Sequence, residues 1–186
     1  MHIFIKMKKE LFQTIEIPEG VEVNINENLV VVKGAEGEVK KELDFTNLDV
    51  EKKDKEIIIG NKKSTKKEKK MMNTIVAHIK NMIKGVQGKF EYKLKVCFSH
   101  FPFTIEMQGK EVTIKNFLGE KIPRKMKILD DVDVDIKGQD ITIISINKES
   151  AGQTAANFET ATKVRSRDRR IFQDGIFITN KPGRKI

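Results

Sequence analysis

The sequence predicts an α+β protein made of two tandem, similar domains, each a small, mainly antiparallel sheet packed with one helix. Three observations support this. The chain matches itself at a shift of 82 residues. Apolar and polar residues alternate in short runs typical of strands. Two apolar stretches with helical spacing each follow a polar capping pattern. The 186 residues suffice for one domain or two small ones.

The internal repeat is clearest between residues 21–38 and 103–120, where apolar positions fall on apolar positions and Gly37-Glu38 falls on Gly119-Glu120. Further along, the shift becomes 85, and residues 57–60 fall on 142–145. This change predicts a three-residue insertion in the second copy, within about 121–141. We expect an N-terminal domain over 1–86 and a C-terminal domain with a basic tail over 87–186.

The strands and the helix of the first copy are predicted from the spacing of apolar residues and from the turn and capping residues between them. Residues 21–25 and 29–32 form two short strands around a polar turn, which predicts a hairpin, and residues 57–59 form another strand. Thr65 and Glu68 make a capping-box pattern before apolar residues at helical spacing, so a helix begins there. Gly85 is expected to cap its end.

The second copy repeats this plan. Ser150 and Gln153 make a similar pattern, aligned with Thr65 and Glu68, and predict a helix that runs through about Val164. In residues 130–136, aspartates alternate with apolar residues. The run lacks the glycine and the final glutamate of a calcium loop, so we expect an edge strand with its aspartates in solvent.

Several classes of protein and site are disfavoured by composition. Cys97 is the only cysteine, which excludes a disulfide framework, and its apolar neighbours predict a buried, inert thiol. His2, His78 and His100 lack metal-ligand spacing, so we expect no metal, and packed or hydrogen-bonded roles for His78 and His100. No apolar run approaches the ~18 residues of a membrane span. The first seven residues do not resemble a signal peptide, and Met7 is an alternative start to Met1.

Catalytic motifs are missing from the sequence. The glycine pair at 34–37 is too short for a phosphate-binding loop and predicts a turn. No nucleophile elbow or His-Glu-x-x-His helix occurs. We therefore predict that the protein is not an enzyme and has neither a cofactor nor a small-molecule substrate.

The formal charge of +9 is concentrated in two segments. Residues 61–84 carry eight lysines and one acid, and residues 163–186 carry eight basic residues and two acids. The rest of the chain is mildly acidic. Such a distribution favours a polyanionic partner, nucleic acid before an anionic membrane surface. The second segment holds five of the six arginines, whose planar guanidinium groups bind phosphate bidentately, so it is the stronger candidate.

Aromatic content argues against base stacking as the main mode of binding. The chain has eleven phenylalanines, one tyrosine and no tryptophan, and we expect most phenylalanines in the core. Recognition of the nucleic-acid backbone and shape fits better than a stacking platform on exposed strands.

The C-terminal third carries a family resemblance. The stretch Arg170-x-Phe172-x-Asp174-Gly175-Ile-Phe177-Ile resembles the C-terminal signature of the family of the sixth protein of the large ribosomal subunit, in its archaeal and eukaryotic form. The eukaryotic counterpart is large-subunit protein nine. Residues 85–86 and 100–102 resemble two further marks of that family, and the resemblance extends over about 12–183. Phe177 departs from the family pattern, in which a tyrosine is usual.

This resemblance implies two duplicated α+β domains in a structural constituent of the large subunit. It implies that the C-terminal domain binds ribosomal RNA near the sarcin–ricin loop, close to the base of the factor-binding stalk. Neighbouring ribosomal proteins at the stalk base would be its other partners. The protein would be cytoplasmic and ribosome-bound, and not an obligate homo-oligomer. The alternative is a free, sequence-tolerant RNA-binding protein outside the ribosome; an RNA-modifying enzyme would need catalytic residues that the sequence does not offer.

The expected RNA-binding residues lie around and after the second helix: Lys148, Ser150, Gln153, Lys163, Arg165, Arg167, Arg169, Arg170, Lys181, Arg184 and Lys185. Ser150 and Gln153 either cap the helix, contact RNA, or do both. Phe172 and Ile176 are expected to pack, and the tail from 181 is expected to be disordered until it binds. A secondary contact with RNA or protein is expected at Lys62, Lys63, Lys66 and Lys67.

Overall fold

The computed structural model describes residues 9–53 and 55–186, and it divides the chain into two compact units, Met1–Gly88 and Lys89–Ile186. Within the described residues, every strand pair is antiparallel. In this described part of the chain, each unit contains one α-helix and two sheets, and the second also has a 3-10 turn at Phe117–Gly119. The predicted α+β class with two similar units is confirmed, although each unit divides its strands between two sheets instead of one.

Over residues 9–53 and 55–88, the first unit holds six strands and helix α1. The strands are β1 (Lys9–Glu16), β2 (Glu22–Asn26), β3 (Leu29–Gly34), β4 (Gly37–Glu42), β5 (Asp49–Lys53) and β6 (Glu56–Ser64), and α1 spans Lys66–Gln87. The sheets have the orders β2-β3-β4 and β1-β6-β5. Alternate residues such as Val30 and Val32 on β3, and Ile57 and Ile59 on β6, are fully buried, and α1 contacts both of these strands. The helix therefore covers the apolar faces of both sheets.

Both ends of α1 are capped. Thr65 and Glu68 form the predicted capping box, with the Thr65 amide donating to the Glu68 carboxylate at 2.8 Å. The predicted C-cap at Gly85 is wrong, because the helix continues to Gln87 and Gly88 caps it. A Cβ on Gly34 would lie 2.8 Å from the Val86 side chain, so glycine permits the 34–37 turn to approach the helix end. There the Glu36 amide donates to the Val86 carbonyl at 3.1 Å.

The second unit contains eight strands and helix α2. The strands are β7 (Phe90–Cys97), β8 (Thr104–Gln108), β9 (Glu111–Lys115), β10 (Arg124–Lys127), β11 (Asp133–Lys137), β12 (Asp140–Ser145), β13 (Gly175–Lys181) and β14 (Arg184–Lys185), and α2 spans Lys148–Ala161. The sheets have the orders β10-β9-β8 and β11-β12-β7-β13-β14. As predicted, β11 is an edge strand, and Asp133 and Asp135 are exposed on it.

The repeat is confirmed by strand register. Glu22 pairs with Lys33 and Asn26 with Leu29 in the first unit, and residues 82 positions later form the same pairs in β8–β9. Val32 pairs with Val39, whereas its equivalent Ile114 pairs with Arg124, an offset of 85. The insertion therefore lies between 115 and 124, mostly ahead of the predicted 121–141, and Gly119-Glu120 is not equivalent to Gly37-Glu38.

Two alignments near the second helix are wrong. Ile57 and Ile59 are buried, and so are Ile141 and Ile143, which lie 84 residues later. The predicted shift of 85 puts Ile57 on Thr142, which faces the other side of the strand. The N-cap of α2 is Asn147, whose side chain accepts from the Glu149 amide at 3.0 Å. Thr65 and Asn147 are 82 residues apart, so Ser150 is not the equivalent of Thr65.

The second unit adds a hairpin that the first unit lacks among its described residues. β13 pairs with the outer edge of β7, with Gly175 opposite Cys97, and β14 returns along β13 through the pairs Asn180–Lys185 and Lys181–Arg184. The disordered tail expected after residue 181 is thus wrong for this structure, in which residues 181–185 close a hairpin. The family-like C-terminal segment is an extension of the duplicated plan.

Candidate nucleic-acid interface

The predicted basic residues of the second unit gather at opposite ends of α2. Lys163, Arg165, Arg167, Arg169 and Arg170 are exposed on the loop that leaves the helix and leads to β13, and we call them the loop cluster. The helix has 14 residues, so its axis is about 21 Å long. Basic side chains at its two ends are therefore separated by several phosphate spacings.

The other end of α2 carries a second group. Lys148 is the first residue of the helix, with Nζ 5.8 Å from the Phe90 ring centroid. Because β13 runs antiparallel to β7 from Cys97 towards Phe90, the following hairpin reaches the same end of the sheet. Exposed Lys181, Arg184 and Lys185 lie in that hairpin. We call these three residues and Lys148 the tail cluster.

A buried carboxylate fixes the loop that carries the loop cluster. Asp174 is 1% exposed, and its carboxylate accepts hydrogen bonds from the backbone amides of Ser99 at 2.6 Å and His100 at 3.1 Å. It also contacts Nδ1 of the His100 ring at 2.7 Å. Burial alone raises the pKa of Asp174, but these hydrogen bonds, led by the backbone amides, outweigh it and lower the pKa below its ordinary value. The last residue before β13 is therefore held as a carboxylate.

Two further side chains fasten β13 to α2. Thr162 accepts a hydrogen bond from the Ile176 amide at 2.9 Å, and Glu159 accepts one from the Ile178 amide at 2.9 Å. These amides alternate with those that face β7, so they belong to the outer edge of the strand. The helix thereby covers an edge that would otherwise present unpaired donors.

Arg124, on β10, binds the C-terminal end of α2. Its guanidinium donates to the carbonyls of Ala161 at 2.8 Å and Lys163 at 3.0 Å. It also forms two hydrogen bonds to Glu120, at 2.6 and 2.7 Å, and lies 4.4 Å from the centroid of Phe117. A cation at a helix C-terminus is favourable. The predicted end of α2 near Val164 is wrong, because the helix stops at Ala161 and Arg124 binds the carbonyls around that end.

Glu120 connects this clamp to the loop cluster. Its hydrogen bonds from Arg124 lower the pKa of the carboxyl, and the positive charges of Arg167 and Arg165 lower it further, against a smaller opposing effect of burial. The two loop arginines are therefore close enough to Glu120 to act on it. One acidic side chain is built into the edge of the basic surface.

The loop itself is folded. The Asp168 carboxylate accepts from the Arg170 amide at 2.9 Å, and its carbonyl accepts from the Phe172 amide at 2.9 Å, which closes a turn. The Phe172 ring stacks on His100 with centroids 4.6 Å apart, and the Arg167 guanidinium lies 4.8 Å from the Phe172 centroid. Phe172 is half-buried and Ile176 is buried, so the predicted packing role of both is confirmed.

Two grooves flank the loop cluster. One, of about 740 Å³, lies beside β13 and includes Cys97, Lys163, Arg169 and Phe177 in its lining. The other, of about 830 Å³, lies beside β10 and includes Arg165. Cys97 is half-buried, which corrects the expected buried thiol. Phe12, Phe98, Phe101 and Phe177 are exposed, so fewer phenylalanines belong to the core than the composition suggested.

Ser150 and Gln153 do not have their predicted capping role. Ser150 lies in the first turn of α2, half-buried, behind the true N-cap Asn147. Gln153 is exposed on the next turn and donates to the Asn157 side chain at 2.9 Å. Both residues remain on the helix, away from the loop cluster.

The lysines of the first unit form a separate cluster. Lys62 and Lys63 are exposed at the end of β6, and Lys66 and Lys67 are exposed in the first turn of α1. Lysine charges at a helix N-terminus oppose the helix dipole, an arrangement that an anion would relieve. We call these four residues the lysine cluster.

Histidines and acids play structural parts in the described residues. His78 Nδ1 lies 3.2 Å from Lys41 Nζ, and His100 contacts Asp174 and Phe172, as expected of packed or hydrogen-bonded residues. Over 9–53 and 55–186, no group of three or more potential metal-ligating side chains comes together. In the same part of the chain, neither helix is long and apolar enough to cross a membrane.

Sequence reasoning missed the parts that Arg124, Asp174 and Glu120 play in shaping this surface, and it expected only a packed or hydrogen-bonded role for His100. The sequence carried one signal: Arg124 is the only arginine outside the C-terminal basic segment. Asp174 and His100 are 74 residues apart, and no local pattern connects them.

A duplicated α+β chain with an arginine-rich loop beside its second helix defines a class of basic protein whose charge suits a polyanionic partner. Comparison with known families agrees with that class. The model of the family described as ribosomal protein L6 matches twice in succession, over residues 17–89 and 101–175. The chain belongs to this family of large ribosomal subunit proteins.

Relatives in archaea match nearly the whole chain. The large ribosomal subunit protein uL6 of Methanobrevibacter smithii is 47% identical over 169 residues, which is 91% of this chain and 95% of the relative. The same protein of Methanosphaera stadtmanae is 49% identical over 92% of this chain and 94% of its own. The uL6 protein of Methanosarcina mazei is 43% identical over 94% of this chain and 99% of its own length. The resemblance to the archaeal form is confirmed.

Proposed function

We propose that this protein is a structural constituent of the large ribosomal subunit that binds ribosomal RNA, mainly through its C-terminal unit. The observation that carries the proposal is the exposed loop cluster, on a loop that buried Asp174 anchors at one end and Arg124 at the other. Prepositioned arginines lose less conformational entropy when they bind phosphate. The family membership supports the large ribosomal subunit as the setting.

The expected mode of binding is neutralisation of phosphates at two places. The loop cluster and the tail cluster lie at opposite ends of a helix of about 21 Å. A double-stranded RNA presents its backbone across a wide, shallow minor groove, which basic groups at two positions can follow. Lys148, in the first helical turn, adds its charge to the amides of the helix N-terminus, which favour an anion. Ser150 and Gln153 extend that end as candidate polar contacts.

The finer location rests on the family resemblance. We propose binding near the sarcin–ricin loop, close to the base of the factor-binding stalk, with neighbouring ribosomal proteins as additional partners. The lysine cluster of the first unit is a secondary contact with RNA or protein. In this proposal the protein is ribosome-bound in the cytoplasm, acts without a cofactor, and has a structural role instead of a catalytic one. The two compact units then serve as an N-terminal and an RNA-binding C-terminal domain.

The decisive experiment expresses the tagged protein in the cell it comes from and sediments the ribosomal particles of the lysate. We expect it to remain with the large subunit after washing at high salt, and chemical probing of those subunits to show protection beside the sarcin–ricin loop. The control is a chain in which Arg165, Arg167, Arg169 and Arg170 are alanine, which should be released at lower salt. Recovery of the intact protein only in ribosome-free fractions would support the free RNA-binding alternative and contradict the proposal.

A further inference from the structure

The groove beside β13 differs from the rest of the basic surface because it is partly aromatic. Phe177 is 45% exposed, although it lies on a strand between buried Ile176 and half-buried Ile178. A Cβ on Gly175 would lie 3.2 Å from the tip of the Phe177 ring, so the ring lies back over this glycine. The absence of a side chain at 175 allows the ring to form a wall of the groove.

Polar and charged groups complete the lining. Lys163 and Arg169 of the loop cluster border the groove, and Thr160 and Gln173 contribute a hydroxyl and an amide. The carboxylates of Glu159 and Asp174 also line the groove, and both accept hydrogen bonds from backbone amides. Aromatic surface, hydrogen-bonding groups and two cations therefore share one space of about 740 Å³ with two bonded carboxylates. This combination is complementary to a nucleotide, which has a flat base, polar base edges and an anionic phosphate.

We propose that this groove binds a single unpaired base of the RNA, stacked on Phe177, with the phosphate of that nucleotide held by Lys163 and Arg169. The inference rests on the proposed RNA-binding function and specifies the ligand of that site. The groove walls are already fixed, since Thr162 and Glu159 fasten β13 to α2 and Asp174 anchors the start of the strand. Lys163 and Arg169 are exposed, whereas Glu159 and Asp174 are bonded to backbone amides, so the groove offers cations to a phosphate and suits a nucleotide better than a neutral apolar side chain of a protein partner.

The chain offers a matched control for the stacking residue. Phe12 on β1 is 42% exposed, and its ring lies close to Gly60, where a Cβ would meet it at 2.2 Å. It is thus another exposed phenylalanine on a strand beside a glycine, but it belongs to the first unit and borders neither groove described above. Phe12→Ala removes a comparable ring without touching the proposed pocket.

The test compares two RNA hairpins that differ by one bulged adenosine in the stem, using fluorescence anisotropy and the full chain. The wild-type protein should prefer the bulged hairpin by roughly 5- to 150-fold, the range expected for one base stacked on an aromatic ring. Phe177→Ala should bind the two hairpins with about equal affinity, whereas Phe177→Tyr and Phe12→Ala should retain the wild-type preference. The preference should change little between two salt concentrations, although both affinities fall, because stacking releases few counterions.

Failure of this inference is distinct from failure of the proposed function. Equal affinity of the wild-type protein for both hairpins, or an unchanged preference in a folded Phe177→Ala variant, would overturn the base pocket while leaving RNA binding intact. Lack of binding to either hairpin and to ribosomal RNA would overturn both. Circular dichroism of each variant checks folding. If Phe177→Ala does not fold, Phe177→Leu, which keeps an apolar side chain but removes the ring, supplies a second variant that should lose the preference.

Discussion

Removal of the Asp174 carboxylate tests the reasoning about the loop cluster most directly. In Asp174→Ala, the backbone amides of Ser99 and His100 lose their partner at a buried place, and the His100 ring loses its acceptor. Breaking such a buried, charge-assisted arrangement typically costs about 3–5 kcal/mol. That is a large part of the ~5–15 kcal/mol by which native domains are stable. We expect the second unit to be destabilised by this amount.

The pH dependence of stability separates the charge of Asp174 from its shape. Its pKa is lowered in the folded protein, so its contribution is present above the unfolded value, near 3.8, and is lost as pH falls through the lower folded value. The difference in unfolding free energy between wild type and Asp174→Asn should therefore be largest near neutral pH. It should shrink below about pH 4, where the carboxyl of the unfolded chain binds a proton before that of the folded protein does.

Tyr92 provides the assay. It is the only tyrosine in a chain without tryptophan, and it is buried in the core of the second unit. Urea unfolding followed by tyrosine fluorescence thus reports on that unit. Asp168→Asn, which alters an exposed acid in the same loop, is the matched control and should cost less than about 1 kcal/mol. The reasoning is refuted if Asp174→Ala lowers the unfolding free energy by less than about 1 kcal/mol. It is also refuted if the difference in unfolding free energy between wild type and Asp174→Asn does not change with pH.

Three further predictions use the same materials. Asn147→Ala should destabilise the second unit by about 1 kcal/mol in the urea assay, and Ser150→Ala by clearly less, because Asn147 caps α2; equal effects would contradict this. Alanine in place of the four loop arginines should weaken binding to a ribosomal RNA fragment more than alanine at four lysines within 62–70; a filter-binding assay with equal losses would reverse that ranking. A plot of the logarithm of that affinity against the logarithm of salt concentration should fall with a slope of magnitude about 4–7. Replacing Arg169 and Arg170 together should lower the magnitude of this slope by about 1–2. If the slope does not change when those two arginines are replaced, another surface makes the contact, and the lysine cluster becomes the candidate.

Local patterns carried most of the fold prediction. The alternation in 21–32 and its copy predicted both hairpins, because turn residues and a buried face define such a pair locally. The Thr65–Glu68 box predicted the start of α1 for the same reason. The charge pattern identified the loop cluster, since its four arginines lie within the six residues 165–170.

Choices that depend on neighbouring elements could not be predicted in this way. Asn147 and Ser150 are both good capping residues, and the end of β12 at Ser145 decides between them. The shift of 85 aligned similar residue types, but it placed buried Ile57 on Thr142, which faces the other side of its strand. A slip of one residue exchanges the two faces of a strand. The contacts of Asp174 with residues 99 and 100, and of Arg124 with the end of α2, join segments far apart in sequence and exist only after folding.

The position of β13 has a consequence for synthesis. This strand occupies 175–181, near the end of the chain, yet it pairs with β7, which is made about eighty residues earlier. Domains form as their chains emerge, amino end first, and contacts over long sequence separations form late. A nascent chain can complete the first unit while the arginines of the second still lack their anchor at Asp174. The loop cluster is therefore anchored only after β13 has been made, so in the proposed function the RNA contact has to wait for that strand.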